Sequence, residues 1–166
     1  MRFLMFYMVL LGGNHPATKI EVHDVVFVLA DSLVDAYPLL KSRWFGDKGR
    51  VHIDCWMLIH GVDGYRIEFR DTPSDSELHL YFVNLGGYIQ GQFGEEHKYM
   101  IVSAENDIIA KSKAKTAVIN LWDKPHKDHL TEIDDCIRLD GIDGRFIHLV
   151  TGDYPKSELK QEHIVL

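Results

Sequence analysis

Glu21 and His23 stand two residues apart, and Glu95 with His97 repeats the pair later in the chain. In an extended strand residues i and i+2 leave the same face, so each carboxylate emerges beside its imidazole. Nitrogen and carboxylate oxygen make a donor set that zinc accepts. The same pairing also lets a histidine hydrogen-bond a neighbouring acid or a turn carbonyl and so hold the preceding loop. Asp54 and Asp134 are a second matched pair, of the type that general acid–base chemistry uses. Trp56 follows Asp54 by two, on what strict alternation makes the more polar face, and offers an aromatic surface to a ligand or partner. Glu21, His23, Asp54, Trp56, Glu95, His97 and Asp134 are therefore the expected ligand contacts. No catalytic residue, resident metal or cofactor is assigned from the sequence.

Other groups carry less chemistry. His126, Asp128 and His129 have a spacing that suits either a metal-binding loop or a solvated turn. Gly12-Gly13 and Gly86-Gly87 let backbone approach closely, as anion-binding turns do, but they lack the spacing of a phosphate-binding loop and also suit simple chain reversal. An anion there would meet Asn14 and His15 in one case, Tyr88 and Ile89 in the other. There is no G-x-S-x-G elbow, and alternation places Cys55 on an apolar face, away from nucleophilic work.

The elements that position these residues are written twice. A shift of 74 aligns Tyr7 with Tyr81, Leu11 with Leu85, both glycine pairs, Glu21 with Glu95, His23 with His97 and Ala36 with Ala110, giving ten identities over thirty positions. Chance supplies about two. A shift of 80 then aligns Ile53, Asp54, Gly61, Asp63, Gly64 and Ile67 with Ile133, Asp134, Gly141, Asp143, Gly144 and Ile147. The added residues fall around "WDKPHKDH", where a loop absorbs them at little entropic cost.

Each copy reads as strand, strand, helix, strand, strand. Phe3 to Leu11 and Val22 to Ala30 are buried strands. Asp31 or Ser32 caps a helix carrying Leu33, Tyr37, Leu40 and Trp44 on one face, with Pro38 awkwardly inside it. In the second copy Asn106 or Asp107 is the cap, and Ala110, Ala114, Ala117, Val118 and Leu121 form the stripe. Next comes an alternating strand in which Val51, Ile53, Cys55, Met57 and Ile59 face one way and His52, Asp54, Trp56 and Leu58 the other. "GVDGY" and "GIDGR" then predict tight hairpins, because Asp-Gly tolerates the positive φ of a type I′ turn.

The expected fold is α+β: two tandem β-β-α-β-β repeats about a pseudo-twofold axis, packed as a single domain over 1–166. Repeat one covers 1–72, a linker 73–77, repeat two 78–151 and a polar tail 152–166. That tail ends in "HIVL", which suits an edge strand. Copies of about seventy residues are marginal alone, which favours shared packing.

With 18 basic and 25 acidic side chains the net charge is −7, which repels nucleic acid and anionic membranes. No run approaches the length of a membrane span. The apolar opening has the look of a short signal-peptide core, but its mid-chain copy argues for a strand. Two unpaired cysteines fit a reducing cytoplasm. A monomer or homo-dimer is expected, with an unknown protein or small molecule as partner.

The strings "LLGGNH", "EVHDVVFVLADSL", "VHIDCWM", "GVDGY", "LYFVNLGGY", "FGEEHKYMIV", "DDC" and "DGRFIHLV" resemble the family called domain of unknown function 1543 over nearly the whole chain. The resemblance implies a bacterial protein whose domain occurs once or twice, with no established activity. Paired polar residues without a catalytic motif favour a non-catalytic binding module with its site where the repeats meet. The alternative is a metal-dependent hydrolase using the same Glu/His cluster.

Overall fold

The computed structural model describes residues 4–121 and 132–166. Trp122 and the His126, Asp128 and His129 group lie outside them. The architecture is α+β, with two helices and mostly antiparallel strands among the described residues. No described helix is long and apolar enough to cross a membrane. The chain divides into two compact units, Met1–Gly61 with Tyr154–Leu166, and Val62–Asp153.

The first unit holds β1 (Met5–Gly13), β2 (Val22–Ala30), α1 (Leu33–Arg43) and β3 (His52–Ile59). The C-terminal tail returns to it: Glu158–Val165 forms a strand beside β3, labelled β11 below, so the sheet order is β11-β3-β1-β2. Tyr7, Val9 and Leu11 leave one face of β1, and α1 covers them with Ala36 and Leu40. Ser32 caps α1 by accepting the Asp35 amide hydrogen at 3.2 Å. Pro38 sits within α1. The amide hydrogen it lacks would have gone to the carbonyl of Val34, an exposed residue, so the loss is confined to the helix's first turns. Trp44 closes the end of this core at 2 % exposure.

The second unit contains β4 (Gly61–Val62, from the unit boundary), β5 (Tyr65–Arg70), β6 (His79–Tyr88), β7 (Glu95–Ala104), α2 (Asp107–Leu121), β8 (Glu132–Leu139), β9 (Gly141–Ile142) and β10 (Arg145–Thr151). One sheet has the order β7-β6-β8, and Tyr81, Val83 and Leu85 meet Ala110, Ala114 and Val118 of α2. Asn106 caps α2 by accepting the Ile109 amide hydrogen. Ala117, expected in the buried stripe, is exposed. The other sheet joins the two short hairpins in the order β4-β5-β10-β9. Both hairpins turn as their Asp-Gly pairs predict, with positive φ at Asp63 and Gly64 and at Asp143 and Gly144. The Asp63 carboxylate accepts the amide and hydroxyl hydrogens of fully buried Ser103, at 2.9 and 3.0 Å.

The registers of the two main sheets match position for position. Tyr7 faces Val28 as Tyr81 faces Val102, and Gly12 faces His23 as Gly86 faces His97. On the other side of the central strand the ladder breaks between Leu10 and Leu11, and between Asn84 and Leu85.

That break overturns the simple alternation expected along β3. Leu10 pairs with Cys55 and Leu11 with Ile53, which leaves Asp54 as an extra bulged residue. A bulge shifts the phase of the strand, so residues beyond it exchange faces. Ile53 is core, but so is the side on which Trp56 and Leu58 pack, whereas Cys55 pairs with Leu10 on the opposite face. In β8 Asp134 is the bulged residue, Cys136 packs against the second core and Ile137 is half exposed. The thiols thus occupy different faces, and burial raises both of their pKa values.

Candidate functional site

The far ends of the central strands carry the chemistry. Gly12 lies between His23 on β2 and His52 on β3, all three on the sheet face away from α1. Glu21 immediately precedes β2 and folds over the same point. The bulge turns Asp54 onto that face too, a familiar use of an extra residue for re-aiming one side chain. His52 Nε2 lies 2.6 Å from Glu21 Oε1 and 3.1 Å from Asp54 Oδ1. His23 Nε2 lies 3.0 Å from Asp54 Oδ2 and 3.9 Å from Glu21 Oε1. From the returning tail, His163 packs on His52 with ring centroids 4.3 Å apart and the rings tilted by 40°, and its Nδ1 is 3.9 Å from Asp54 Oδ1.

Gly12 is the floor of this cluster. A Cβ there would stand 2.5 Å from Glu21 Oε1, 2.6 Å from Asp54 Oδ2 and 2.7 Å from His52 Nε2, so only glycine lets these polar atoms converge. The glycine's role is close approach, not chain reversal, since β1 continues through Gly13. Gly13 has a different neighbour: a Cβ there would meet the Trp44 ring.

Among the described residues, the second unit repeats the arrangement with fewer nitrogens. Glu95, His97 and Asp134 converge over Gly86, where an added Cβ would meet both carboxylates. His97 Nδ1 is 3.2 Å from Asp134 Oδ2, and its Nε2 is 3.8 Å from Glu95 Oε2. Asn84 approaches the same ring nitrogen, its Oδ1 at 3.2 Å from His97 Nδ1, and its side-chain amide donates to Asp135 at 3.2 Å. In each triad, Glu21–His23–Asp54 and Glu95–His97–Asp134, one potential ligand atom per residue lies within 4.8 Å of the others. His52, Asp54 and His163 form a further such group in the first unit.

Six of the seven expected contacts thus fall into these two triads, each closed within its own unit. Trp56 does not. The bulge directs it to the α1 side, where it meets Tyr7 edge-on at 5.9 Å and donates its indole hydrogen to Glu162 at 3.3 Å. His52 and His163 were missed, because His52 needs the β1–β3 register and His163 is more than a hundred residues away in sequence. The one readable hint was His52 at the i−2 position from Asp54.

The second unit also has a cavity of about 260 Å³, lined by Leu78, Leu80, Leu139, Phe146, Ile147 and Leu149 among others. His79 and Arg138 reach its wall. Burial there, with Arg138 nearby, lowers the His79 pKa, against the pull of Asp140 at 3.5 Å.

Residues 18–69 match the sequence profile of the family described as Domain of Unknown Function (DUF1543). That stretch contains the whole first triad. A solved structure similar to this chain is that of a protein named Il1583 from Idiomarina loihiensis, 28% identical, with a TM-score of 0.75. The match covers 98% of this chain and 97% of the other. No curated protein matches.

Proposed function

With a domain of that family in its first half, we propose that the protein is a non-catalytic binding module built from a tandem repeat, each copy carrying a Glu-His-Asp contact site over a bare glycine. The observation that carries the reading is the convergence of Glu21, His23 and Asp54 over Gly12, matched by Glu95, His97 and Asp134 over Gly86. Identical registers and bulges in the two sheets support the duplication, since a bulge inserted at the same rung twice is a specific feature. The β5–β10 ladder supports a local twofold relation. It centres on the Glu68–His148 pair, residues that are mates under the 80-residue shift.

A binding role follows from what the triads offer. They present carboxylate acceptors and an imidazole at a surface that is half exposed, with no serine, threonine or cysteine among them. A thermal-shift screen of small polar ligands tests the reading. The wild type should be stabilised by a ligand that leaves the His23→Ala/His97→Ala protein unmoved; an equal response from both would remove the sites from these residues.

A further inference from the structure

The first cluster is more than a pair of hydrogen-bonded side chains. Two carboxylates, Glu21 just ahead of β2 and Asp54 on β3, point at one spot above Gly12, and one oxygen of each lies 2.5 or 2.6 Å from where a Cβ would be. Like charges so arranged repel unless something cationic lies between them. Two imidazoles, His23 and His52, flank that spot, and His163 stands behind His52. Neighbouring donors are 2.6 to 3.9 Å apart. Ligands bound tetrahedrally at zinc distances of about 2.0–2.2 Å are separated from one another by about 3.3–3.6 Å, within the span of these contacts, while His23 and His52, which fall in separate groups of mutually close donors, have to turn toward a common point.

The glycine floor is an independent sign. Hydrogen-bonded ion pairs at a strand end do not require a residue without a side chain beneath them, yet both clusters have one. The bulge is a second sign, because it spends a ladder position to bring Asp54 to the cluster.

Resting on the reading of these triads as binding sites, we propose that Glu21, His23, His52 and Asp54 hold a divalent transition-metal ion of the zinc class, with His163 as an auxiliary donor. Imidazole-rich sets favour such ions, whereas sets dominated by carboxylate suit harder cations. The second triad has one imidazole, and position 132, which faces Gly86 as His52 faces Gly12, is a glutamate. It binds the same ion more weakly.

The test uses the full-length, untagged protein stripped with a chelator, titrated with Zn²⁺ against a chromogenic indicator. Wild type should take up one tight equivalent. His52→Gln and Asp54→Asn should each weaken that equivalent by at least about tenfold, the loss expected for disturbed ligation. Asp134→Asn should leave it unchanged. Co²⁺ should give ligand-field bands in wild type that His23→Gln, at a half-exposed position that folding tolerates, diminishes. His163→Ala, more exposed still, should weaken binding by less than His52→Gln.

Absence of a tight equivalent in wild type overturns the proposal, as does a tight equivalent indifferent to His23→Gln, His52→Gln and Asp54→Asn. If metal-free wild type still responds to an organic ligand through His23 and His97 while Zn²⁺ fails to bind, the metal assignment falls and the binding-module reading stands. If neither probe depends on these residues, both fall.

Discussion

The two triads share a floor, a bulge and three residue types, yet they are not equivalent. Over Gly12 the carboxylates meet His23 and His52, with the His163 ring tilted against His52. Over Gly86, among the described residues, the one imidazole they meet is His97, and that ring is tethered by Asn84, whose mate in the first unit is Leu10. The backbone device is the same in both; the neighbours decide what it can hold. The same bulge can therefore sit beneath different side-chain chemistry, because the bulge depends on strand pairing and the chemistry on individual side chains.

Removing the bulges should have the largest effect on the sites. Deleting Asp54 restores strict alternation to β3 while Ile53, Cys55, Trp56 and Leu58 keep Leu11, Leu10, Val9 and Tyr7 as partners, so the core residues keep their faces and what is lost is the carboxylate above Gly12. The first cluster should lose its ligand while stability changes by no more than about 1 kcal/mol. A ligand titration reads the first effect, and urea unfolding followed by circular dichroism the second. Deleting Asp134 should silence the second triad instead, since Ile133 and Cys136 likewise keep Leu85 and Val83 as partners. A loss of more than about 4 kcal/mol in either deletion would mean that the bulge itself carries the stability.

Next in size is the exchange of residues that the bulges place on the core. Trp56→Ala should cost about 2–3 kcal/mol for a partly buried aromatic, against about 1 kcal/mol for Cys136→Ala at the matching position. Chemical denaturation of the two variants compares them directly.

Filling the floors comes third. Gly12→Val and Gly86→Val each force a side chain into the converging carboxylates, at about 1–3 kcal/mol for overpacking. The first should be the worse, because His52 Nε2 crowds that position as well. A Gly12→Val protein that unfolds at the wild-type midpoint would show that the polar atoms move aside freely.

The smallest effect is on pH dependence and belongs to the second unit. The position matching His79 is Met5, so the first unit lacks this group. Burial depresses the folded-state pKa of His79 below its unfolded value of about 6.5. Between the two values the unfolded chain binds more protons, so stability is complete above about pH 6.5 and falls as pH drops toward the folded value. His79→Gln should flatten that slope in denaturation curves collected from pH 7 to 5. A slope unchanged by the substitution would assign it to other groups.

Much of the architecture was legible in local pattern. Apolar runs ended by glycine became β1 and β6, Ser32 and Asn106 became helix caps, and both Asp-Gly pairs became tight turns. These features depend on residues within a few positions of one another, where propensity and sterics act directly. Strand phase beyond Asp54 was misread because a bulge has no local signature in "VHIDCWML": its position follows from pairing with β1. For the same reason Trp56 was assigned to the wrong face and the partnership of Cys55 with Leu10 was hidden.

By itself, the sequence determined the elements, the recurring pattern of residues along them and the residue types available at each strand end. Tertiary structure alone decided which of those residues meet. His163 reaches His52 because the tail pairs with β3, and Asp54 reaches Gly12 because the ladder slips by one rung. Contacts of that kind arise from the register between distant strands, and register is set by burial across the whole sheet, not by any short stretch of chain.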